Sequence, residues 1–224
     1  MLMGVLVLVT AAVWFNCNPF QSAQDDSGRL NVLDTSGRLT IYCTIEVNGT
    51  TWDGGGQTIY AVGMGDGSQD EDQDPIFRIT NGTVRNVTIG APACDGLHFM
   101  GGNATIESVV VPDVGEDAIT VKQPGVYTVN NFTGNNADDK LFQINDLCTI
   151  TYRNTHGTTM SKMVRQNGDK TWKCIVYIDG AYIYDIGECV WRTDSSTSIC
   201  YYRNIVSDLP SSSWWYSGAT AIAY

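Results

Sequence analysis

The sequence predicts an all-β chain with a single folded domain, wound as a parallel β-helix. Three observations support this fold class. Runs of β-branched and apolar residues recur along the chain between Gly, Asn and Asp, which is the pattern of strands joined by turns. No segment between these runs has the 3.6-residue period of an amphipathic helix. Similar segments also recur about every 22 residues, as in a solenoid.

The repeat can be aligned on the apolar residue that follows each charged segment. The aligned residues are Ile76, Leu97, Ala118, Leu141, Met163 and Val190. One such unit cannot bury its own apolar face, whereas a stack of units forms a continuous core. Residues one turn apart in this stack are expected to lie about 4.8 Å from each other.

Three carboxylates precede the anchors in this register. Asp95, Glu116 and Asp117 are therefore expected to crowd one surface strip. Carboxylates this close repel each other unless a cation lies among them, and oxygen-rich clusters suit calcium. For any one of these residues a solvated turn is the simpler interpretation, but the whole set in one register favours a site.

A basic strip is predicted beside the carboxylates. Lys140 and Lys162 stand one place before the anchors Leu141 and Met163 of successive units, and Arg165 stands two places after Met163. The same register stacks them next to the acidic strip. The sequence therefore predicts a calcium pocket flanked by cations.

Composition limits the classes of partner. The chain has 224 residues, 43% of them hydrophobic and 17% charged, which fits one folded domain rather than a disordered chain. Its net charge of −11 argues against nucleic acid. An anionic polymer is still a possible substrate, because exposed charges are screened beyond about 8–10 Å.

The first fifteen residues are apolar and uncharged, and are shorter than the roughly 20 residues of a membrane span. We interpret residues 1–23 as a secretion signal peptide and 24–224 as the β-helix domain, although the usual basic residue near the start is missing. A truncated or incorrectly predicted start is the alternative. A secreted, extracellular protein with no membrane association after signal removal is expected.

The cysteines fit an oxidising compartment. They are Cys17, Cys43, Cys94, Cys148, Cys174, Cys189 and Cys200. Removal of Cys17 with the signal would leave an even number, but the pairing stays open. No CxxC spacing indicates zinc. Five N-x-S/T sequons begin at Asn48, Asn81, Asn86, Asn103 and Asn131; turn asparagines explain most of them better than glycans do.

Three other segments interrupt the repeat. The acidic loop 64–75 lacks the glycine and the final glutamate of an EF-hand, so that interpretation fails. Residues 167–173 are predicted to form a loop between coils. Trp214, Trp215 and Tyr216 are predicted to cover the end or side of the stack, with a sugar-stacking platform as the less favoured alternative.

Five segments in order resemble class III pectate lyases, polysaccharide lyase family 3. They are GDGSQDEDQDPIFRI, NVTIGAPACDGLHF, VGEDAITVK, ADDKLFQIN and KMVRQNG. The resemblance covers about residues 40–210. It implies a right-handed β-helix that is secreted and cleaves de-esterified pectin (polygalacturonate) by calcium-dependent β-elimination, giving unsaturated oligogalacturonides. We expect a monomer.

The resemblance also assigns roles. It implies calcium binding by Asp95, Glu116 and Asp117, catalysis by Lys140, Lys162 and Arg165, and substrate binding by Lys122, Lys162 and Arg165. We expect Lys140 to be the base, with its pKa lowered by neighbouring cations and calcium, and Lys162 to bind substrate or to be the alternative base. Where many relatives have a cysteine soon after the histidine of DGxH, Phe99 and Met100 follow His98 here, so their disulfide pattern cannot be transferred.

Two other functions remain open. A β-helix glycoside hydrolase of the polygalacturonase type would use aspartates as acid and base, and Asp138–Asp139 could suggest one. The glycine-flanked histidine of such hydrolases is absent, and His98 is more simply a packed residue. A non-catalytic pectin-binding solenoid would keep the carboxylates but would not need Lys140, Lys162 and Arg165 together.

Overall fold

A computed structural model describes residues 32–34, 36–68, 70, 72–216 and 218–224. Its strands are β1 (Val32–Leu33), β2 (Arg38–Ile41), β3 (Ile45–Asn48), β4 (Thr51–Ala61), β5 (Phe77–Thr80), β6 (Thr83–Ile89), β7 (Leu97–Phe99), β8 (Gly102–Val111), β9 (Gly115–Val121), β10 (Gly125–Asn135), β11 (Ala137–Ile144), β12 (Cys148–Gln166), β13 (Ile175–Arg192), β14 (Ile199–Ser207) and β15 (Thr220–Ala223). A 3₁₀ helix spans Ser211–Ser213. The predicted signal peptide lies outside the described residues. Within these ranges, no helix has the length and apolar character needed to cross a membrane.

The strands confirm the predicted parallel β-helix. One series stacks in the order β2, β4, β6, β8 and β10, and a second in the order β3, β5, β7, β9 and β11. Both series join β12, which bends and pairs with β10 through one half and with β11 through the other. β13 continues both series by pairing with β12 along its length. Among the described strand pairs, only β1 with β2 is antiparallel.

A residue in the left-handed conformation sets one corner of each turn. Asn131 and Asn154 have φ of 52° and 49°, and Gly180 occupies the same corner in the next turn with φ of 85°. Asparagine and glycine tolerate this conformation better than other residues. The sequence analysis interpreted most of the sequon asparagines as turn residues. Asn131 has this role, and its Nδ2 donates to Ser108 Oγ at 3.0 Å.

Stacked aromatic rings fill the interior. Phe142 lies between Phe132 and Tyr152, with ring centroids 5.4 and 4.3 Å away, and all three side chains are fully buried. The Phe142 backbone pairs with Ile119 and Val164 on the neighbouring turns. The apolar column therefore lies directly behind the strands that carry the predicted site.

Aromatic residues cover the C-terminal end of the stack, as predicted. Trp215 pairs with Trp191, and Trp214 donates its indole N–H to the carbonyl of Leu209 at 3.0 Å. Trp214 and Trp215 are partly buried against the core. Their ring surfaces therefore cover apolar side chains.

The predicted register is wrong by one residue at Leu97. Leu97 pairs with Ile119, so Gly96 rather than Leu97 lies beside Ala118. A Cβ at Gly96 would lie only 2.3 Å from the Ala118 carbonyl oxygen, which shows how closely these backbones approach. Cys94 and Gly96 both have positive φ, and the tight turn they form moves the alignment by one position. Asp95 consequently corresponds to Asp117, not to Glu116.

Phe142→Ala is expected to lower the free energy of unfolding by about 3–5 kcal/mol, because it leaves a cavity between two buried rings. Tyr182→Ala is the matched control. Tyr182 stacks on His156 at 4.8 Å but is 40% exposed, so its loss should cost about 1 kcal/mol. Denaturant unfolding of both variants measures the difference. Equal losses would contradict the assignment of the Phe132–Phe142–Tyr152 stack to the core.

Candidate active site

Four neighbouring strand segments bring the predicted site together on one face. Lys140 in β11 pairs with Asp117 in β9 and with Lys162 in β12, and Lys162 pairs with Cys189 in β13. Three of the predicted site residues therefore occupy successive turns at the same position. All three side chains are at most about a tenth exposed.

The buried charges alternate in sign along the stack. Asp139 accepts from both lysines, with its Oδ2 2.6 Å from Lys140 Nζ and its Oδ1 2.6 Å from Lys162 Nζ. Asp117 Oδ1 lies 3.1 Å from Lys140 Nζ at one end. At the other end Glu188 Oε2 lies 3.2 Å from Lys162 Nζ. Glu188 also pairs with Arg192. We name this set the charge row: Asp117, Lys140, Asp139, Lys162, Glu188 and Arg192.

The charge row corrects the prediction that the pKa of Lys140 is lowered. Burial disfavours its ammonium form, but the negative charges of Asp117 and Asp139 outweigh burial and raise the pKa of Lys140 above its usual value. The neighbours that the structure gives Lys140 are carboxylates, because Asp139 lies between the two lysines. Lys140 is therefore an ammonium group at neutral pH.

Asp117 is the most strongly perturbed carboxyl of the site. Its pKa is raised to about 7, mainly by burial; the Lys140 ammonium opposes this shift, and the charges of Glu116 and Asp139 add to it. Asp117 Oδ1 is buried and, apart from the contact with Lys140, accepts no hydrogen bond of good geometry. A carboxylate oxygen in this position favours a nearby cation.

Lys162 is fully engaged by protein groups. Its ammonium donates to Asp139 Oδ1 at 2.6 Å and to Ser161 Oγ at 3.0 Å, and it lies 3.2 Å from Glu188 Oε2. Two of its three N–H donors have hydrogen-bond acceptors here, and Glu188 adds an ion pair. The contacts therefore favour a positioning role for Lys162 over that of the alternative base.

Arg165 keeps one side of its guanidinium free of protein partners. Its Nη2 donates to Asp194 Oδ2 at 2.9 Å, and the Asp169 N–H donates to the same oxygen. The Arg165 hydrogen bond, followed by that of Asp169, lowers the pKa of Asp194. Arg165 Nη1 is buried without a hydrogen-bond partner. This nitrogen can therefore accommodate an anionic acceptor.

Asp95 lies beside the charge row with partners of its own. Its Oδ2 lies 2.9 Å from His98 Nε2 and 3.8 Å from Lys122 Nζ. His98 is 5% exposed, which supports the interpretation of this histidine as a packed residue. Lys122 is thus at the acidic side of the site, away from the contacts between Lys140 and Lys162.

The predicted calcium carboxylates fit a hard cation in type but do not converge on one point. Asp117 Oδ1 faces Lys140, whereas Asp95 Oδ2 faces His98 and Lys122. Among the described residues, no group of three or more potential ligands is arranged to hold a metal. Glu116 nevertheless raises the pKa of Asp117, as two carboxylates that lack a cation between them do.

The surroundings of these carboxylates are also acidic. A cavity of about 210 Å³ beside Gly115 is lined by Asp66, Asp113 and Asp138. Gly67 approaches Gly115 so closely that a Cβ on Gly115 would lie 2.5 Å from the Gly67 carbonyl oxygen. The acidic loop predicted at 64–75 therefore contributes negative charge next to Glu116.

Sequence reasoning missed several partners of the site. Glu188 stands two places before the anchor Val190, so the same register could have identified it. Asp139 stands two places before the anchor Leu141, but it was considered only as a hydrolase candidate beside Asp138. Asp194 lies two residues after Arg192, the partner of Arg165 on the next turn, so the register to Val190 could also have placed it near Arg165.

The chain matches known proteins along most of its length. A family model described as pectate lyase matches residues 31–221. Pectate lyase H of Emericella nidulans is 33% identical over 190 residues, covering 78% of this chain and 72% of that protein. Probable pectate lyase D of the same organism is 34% identical over 141 residues, covering 61% and 53%. The chain thus spans between about half and three quarters of the length of these relatives.

Solved structures share the fold. The catalytic domain of pectate lyase PelI from Erwinia chrysanthemi superposes with a TM-score of 0.64 at 21% identity, covering 83% of this chain and 88% of that one. Pectate lyase Pel3 from Pectobacterium carotovorum gives 0.68 at 20% identity, covering 89% and 65%. PelI in complex with tetragalacturonic acid gives 0.62 at 20% identity, covering 89% and 68%. At these identities the likeness shows the fold alone.

Asp139→Asn is expected to lower the free energy of unfolding by about 1–3 kcal/mol near pH 6, because the variant loses two charge-assisted hydrogen bonds. Burial opposes ionisation of Asp139, but the bonds from Lys140 and Lys162 outweigh it and lower its pKa. Its stabilising effect is therefore present above its unfolded value of about 3.9 and is lost as the pH falls through the folded value.

Denaturant unfolding of both proteins between pH 3 and pH 7 measures this effect. The difference between wild type and Asp139→Asn should shrink toward the acid end. Asp138→Asn, which alters the exposed neighbouring carboxylate, should show no such closing difference. A difference for Asp139→Asn that does not change with pH would contradict the bridging role.

Proposed function

The chain belongs to the pectate lyase family, and from this premise we propose that it is a class III pectate lyase (polysaccharide lyase family 3). The proposed substrate is de-esterified pectin, polygalacturonate, which is cleaved by β-elimination to unsaturated oligogalacturonides. The observation that carries the proposal is the pairing of Lys140 with Asp117 and Lys162 on adjacent turns, with Arg165 three residues further along β12. The complex of the related fold PelI with tetragalacturonic acid supports this substrate class.

Lys140 is the proposed base. Its unprotonated amine takes the C5 proton of a galacturonate unit, the C5–H electrons form the C4–C5 double bond, and the C4–O bond breaks with its electrons on the leaving sugar oxygen. Because Asp117 and Asp139 raise the pKa of Lys140, the amine form becomes abundant only at alkaline pH. The proposal therefore includes an alkaline pH optimum.

The other cations bind and position in this scheme. Arg165 Nη1, which lacks a protein partner, is proposed to bind a substrate carboxylate while Asp194 holds Nη2. Lys162 holds Asp139 and so fixes the location of Lys140. Lys122, next to Asp95, is proposed to serve a neighbouring sugar subsite.

Calcium is the proposed cofactor, held by Asp95, Glu116 and Asp117. When bound, it supplies neutralisation of a substrate carboxylate, which makes the C5 proton more acidic. The buried oxygen of Asp117 and its repulsion by Glu116 support this ligand set. Asp95 would have to turn away from His98 and Lys122 to take part.

The proposed setting is extracellular. Residues 1–23 would direct secretion and be removed, and the remaining chain would act as a monomer on wall pectin. The apolar start of the sequence supports this part of the proposal.

A hydrolase is not favoured by the structure of the site. Asp139 accepts bonds from two ammonium groups and has a lowered pKa, so it is poorly suited to donate a proton. Asp138 lines the acidic cavity. The carboxyl with a raised pKa in this site is Asp117, which is buried against Lys140 rather than paired with Asp139 as an acid and base couple.

Incubation with polygalacturonate is expected to produce ultraviolet absorption from the unsaturated product, and chelation of calcium should abolish it. Calcium added back after chelation should restore the signal, whereas magnesium is the control ion. New reducing ends without absorption would indicate a hydrolase and contradict the proposal. The absence of both signals would indicate a binding protein.

Lys140→Ala is expected to lower kcat by about 10²- to 10⁴-fold, because the proton acceptor is removed. The thermal transition should also fall, because the variant leaves the buried Asp117 and the half-buried Asp139 without this ammonium partner, so kcat is measured on protein shown to be folded by circular dichroism. Lys173→Ala, at an exposed lysine beyond the site, is the matched control and should retain activity. Wild-type activity in a folded Lys140→Ala variant would rule out Lys140 as the base.

A further inference from the structure

Two buried cysteines lie side by side on adjacent turns, outside the proposed catalytic machinery. Thr149 in β12 pairs with Ile175 in β13, so the residues just before them, Cys148 and Cys174, are lateral neighbours. Both thiols are buried, at 4% and 0% exposure. Neighbouring strands are separated by about 4.8 Å, which is within the Cα–Cα range of a disulfide, about 4.4–6.8 Å.

The side chains of this pair point toward each other. Cys174 Sγ lies 3.7 Å from the carbonyl oxygen of Asp146, two residues before Cys148. The neighbouring thiol is also the largest influence on the pKa of each of the two cysteines. The two cysteines therefore already lie on adjacent coils, and a disulfide between them does not require the coils to shift.

We propose that Cys148 and Cys174 form a disulfide that joins two successive coils of the solenoid. The described cysteines are present as thiols in this structure. Of these, Cys200 makes a useful comparison, because its strand neighbours are Val176 and Ala221 and offer no sulfur. The bond is a covalent cross-link between coils that are otherwise held together by backbone hydrogen bonds and apolar contacts.

The reaction requires a disulfide oxidant of low molecular mass, such as oxidised glutathione. The Cys174 thiolate attacks one sulfur of the oxidant, forming a mixed disulfide and releasing one thiolate. The Cys148 thiol then loses its proton and attacks the Cys174 sulfur, releasing the second thiolate. The protein loses two protons and two electrons, and the oxidant becomes two thiols.

The order of attack follows from the environment of each sulfur. The hydrogen bond from Cys148 lowers the pKa of Cys174, whereas donating that hydrogen bond, together with burial, raises the pKa of Cys148. The thiolate is the nucleophile, so Cys174 attacks first once the two strands lie side by side. Because both sulfurs are buried in the folded chain, the oxidant must reach them while β12 and β13 are paired but the coils around them have not yet closed.

The position of the pair connects it to the site. Residues 167–174 form the connection between β12 and β13, and Cys174 is its last residue. Within this connection, the Asp169 N–H donates to Asp194, which also holds Arg165. The disulfide would therefore anchor the far end of the loop that passes beside Arg165.

Refolding of the full chain with a mixture of oxidised and reduced glutathione, or with reductant alone, tests the proposal. Proteolysis without reductant and mass spectrometry should give a linked peptide that contains Cys148 and Cys174. Oxidised protein should have a Tm about 5–10 °C above that of reduced protein, as expected for a closed loop of this size in a chain of this length.

Two variants sharpen the test. Cys200→Ala should keep the difference in Tm between oxidised and reduced protein, and Cys148→Ala should lose it. The oxidised and reduced forms of the same variant are compared, so any destabilisation by the substitution itself cancels. The peptide map of the wild type decides the pairing even if a variant does not fold. Free thiols at Cys148 and Cys174 after oxidative refolding, a different pairing, or a linked pair without a change in Tm would overturn the proposal.

Discussion

The in-register parallel stacking of coils is the constraint on which the structure depends. Each residue of a coil lies about 4.8 Å from its counterparts above and below, so one position repeated over several turns becomes a continuous column. An apolar column of this kind is stable, because its side chains pack on each other, and it forms the core around Phe142. A column of equal charges is unstable, because equal charges at this spacing repel. Lys140 and Lys162 are such a pair, and Asp139 lies between their ammonium groups.

This constraint sets the electrical character of the site. The charge row balances its own charges, so two ammonium groups can remain buried at this face. The balance also holds Lys140 in its protonated form, which is unfavourable for a base. Stability of the buried row and readiness for proton abstraction therefore conflict. Any change that moves Asp117 away from Lys140 would lower the pKa of Lys140 and increase the fraction of its amine form.

The sequence was sufficient for the fold class and for the register that brings the predicted site residues Asp117, Lys140 and Lys162 onto adjacent turns. Repetition of apolar segments is a long-range signal, and it aligned Lys140 with Lys162 and Asp117 correctly. It failed at Leu97, where two residues of positive φ change the length of a coil by one position. The repeat predicts the position of the backbone of each residue. It does not predict which carboxylate each lysine side chain contacts. The register brings Asp194 to the turn next to Arg165, because Arg165 pairs with Arg192, but it does not show that the two side chains bond.

The unequal length of the coils has a further meaning. The step from Met163 to Val190 is longer than the other steps between anchors, and the extra residues leave the stack as the loop at 167–173 without disturbing the pairing of Lys162 with Cys189. A coil can thus gain or lose residues at this edge while its neighbours keep their alignment. The loop at 167–173 can therefore change in length without moving the paired strands, provided that the Asp169 N–H still reaches Asp194 beside Arg165.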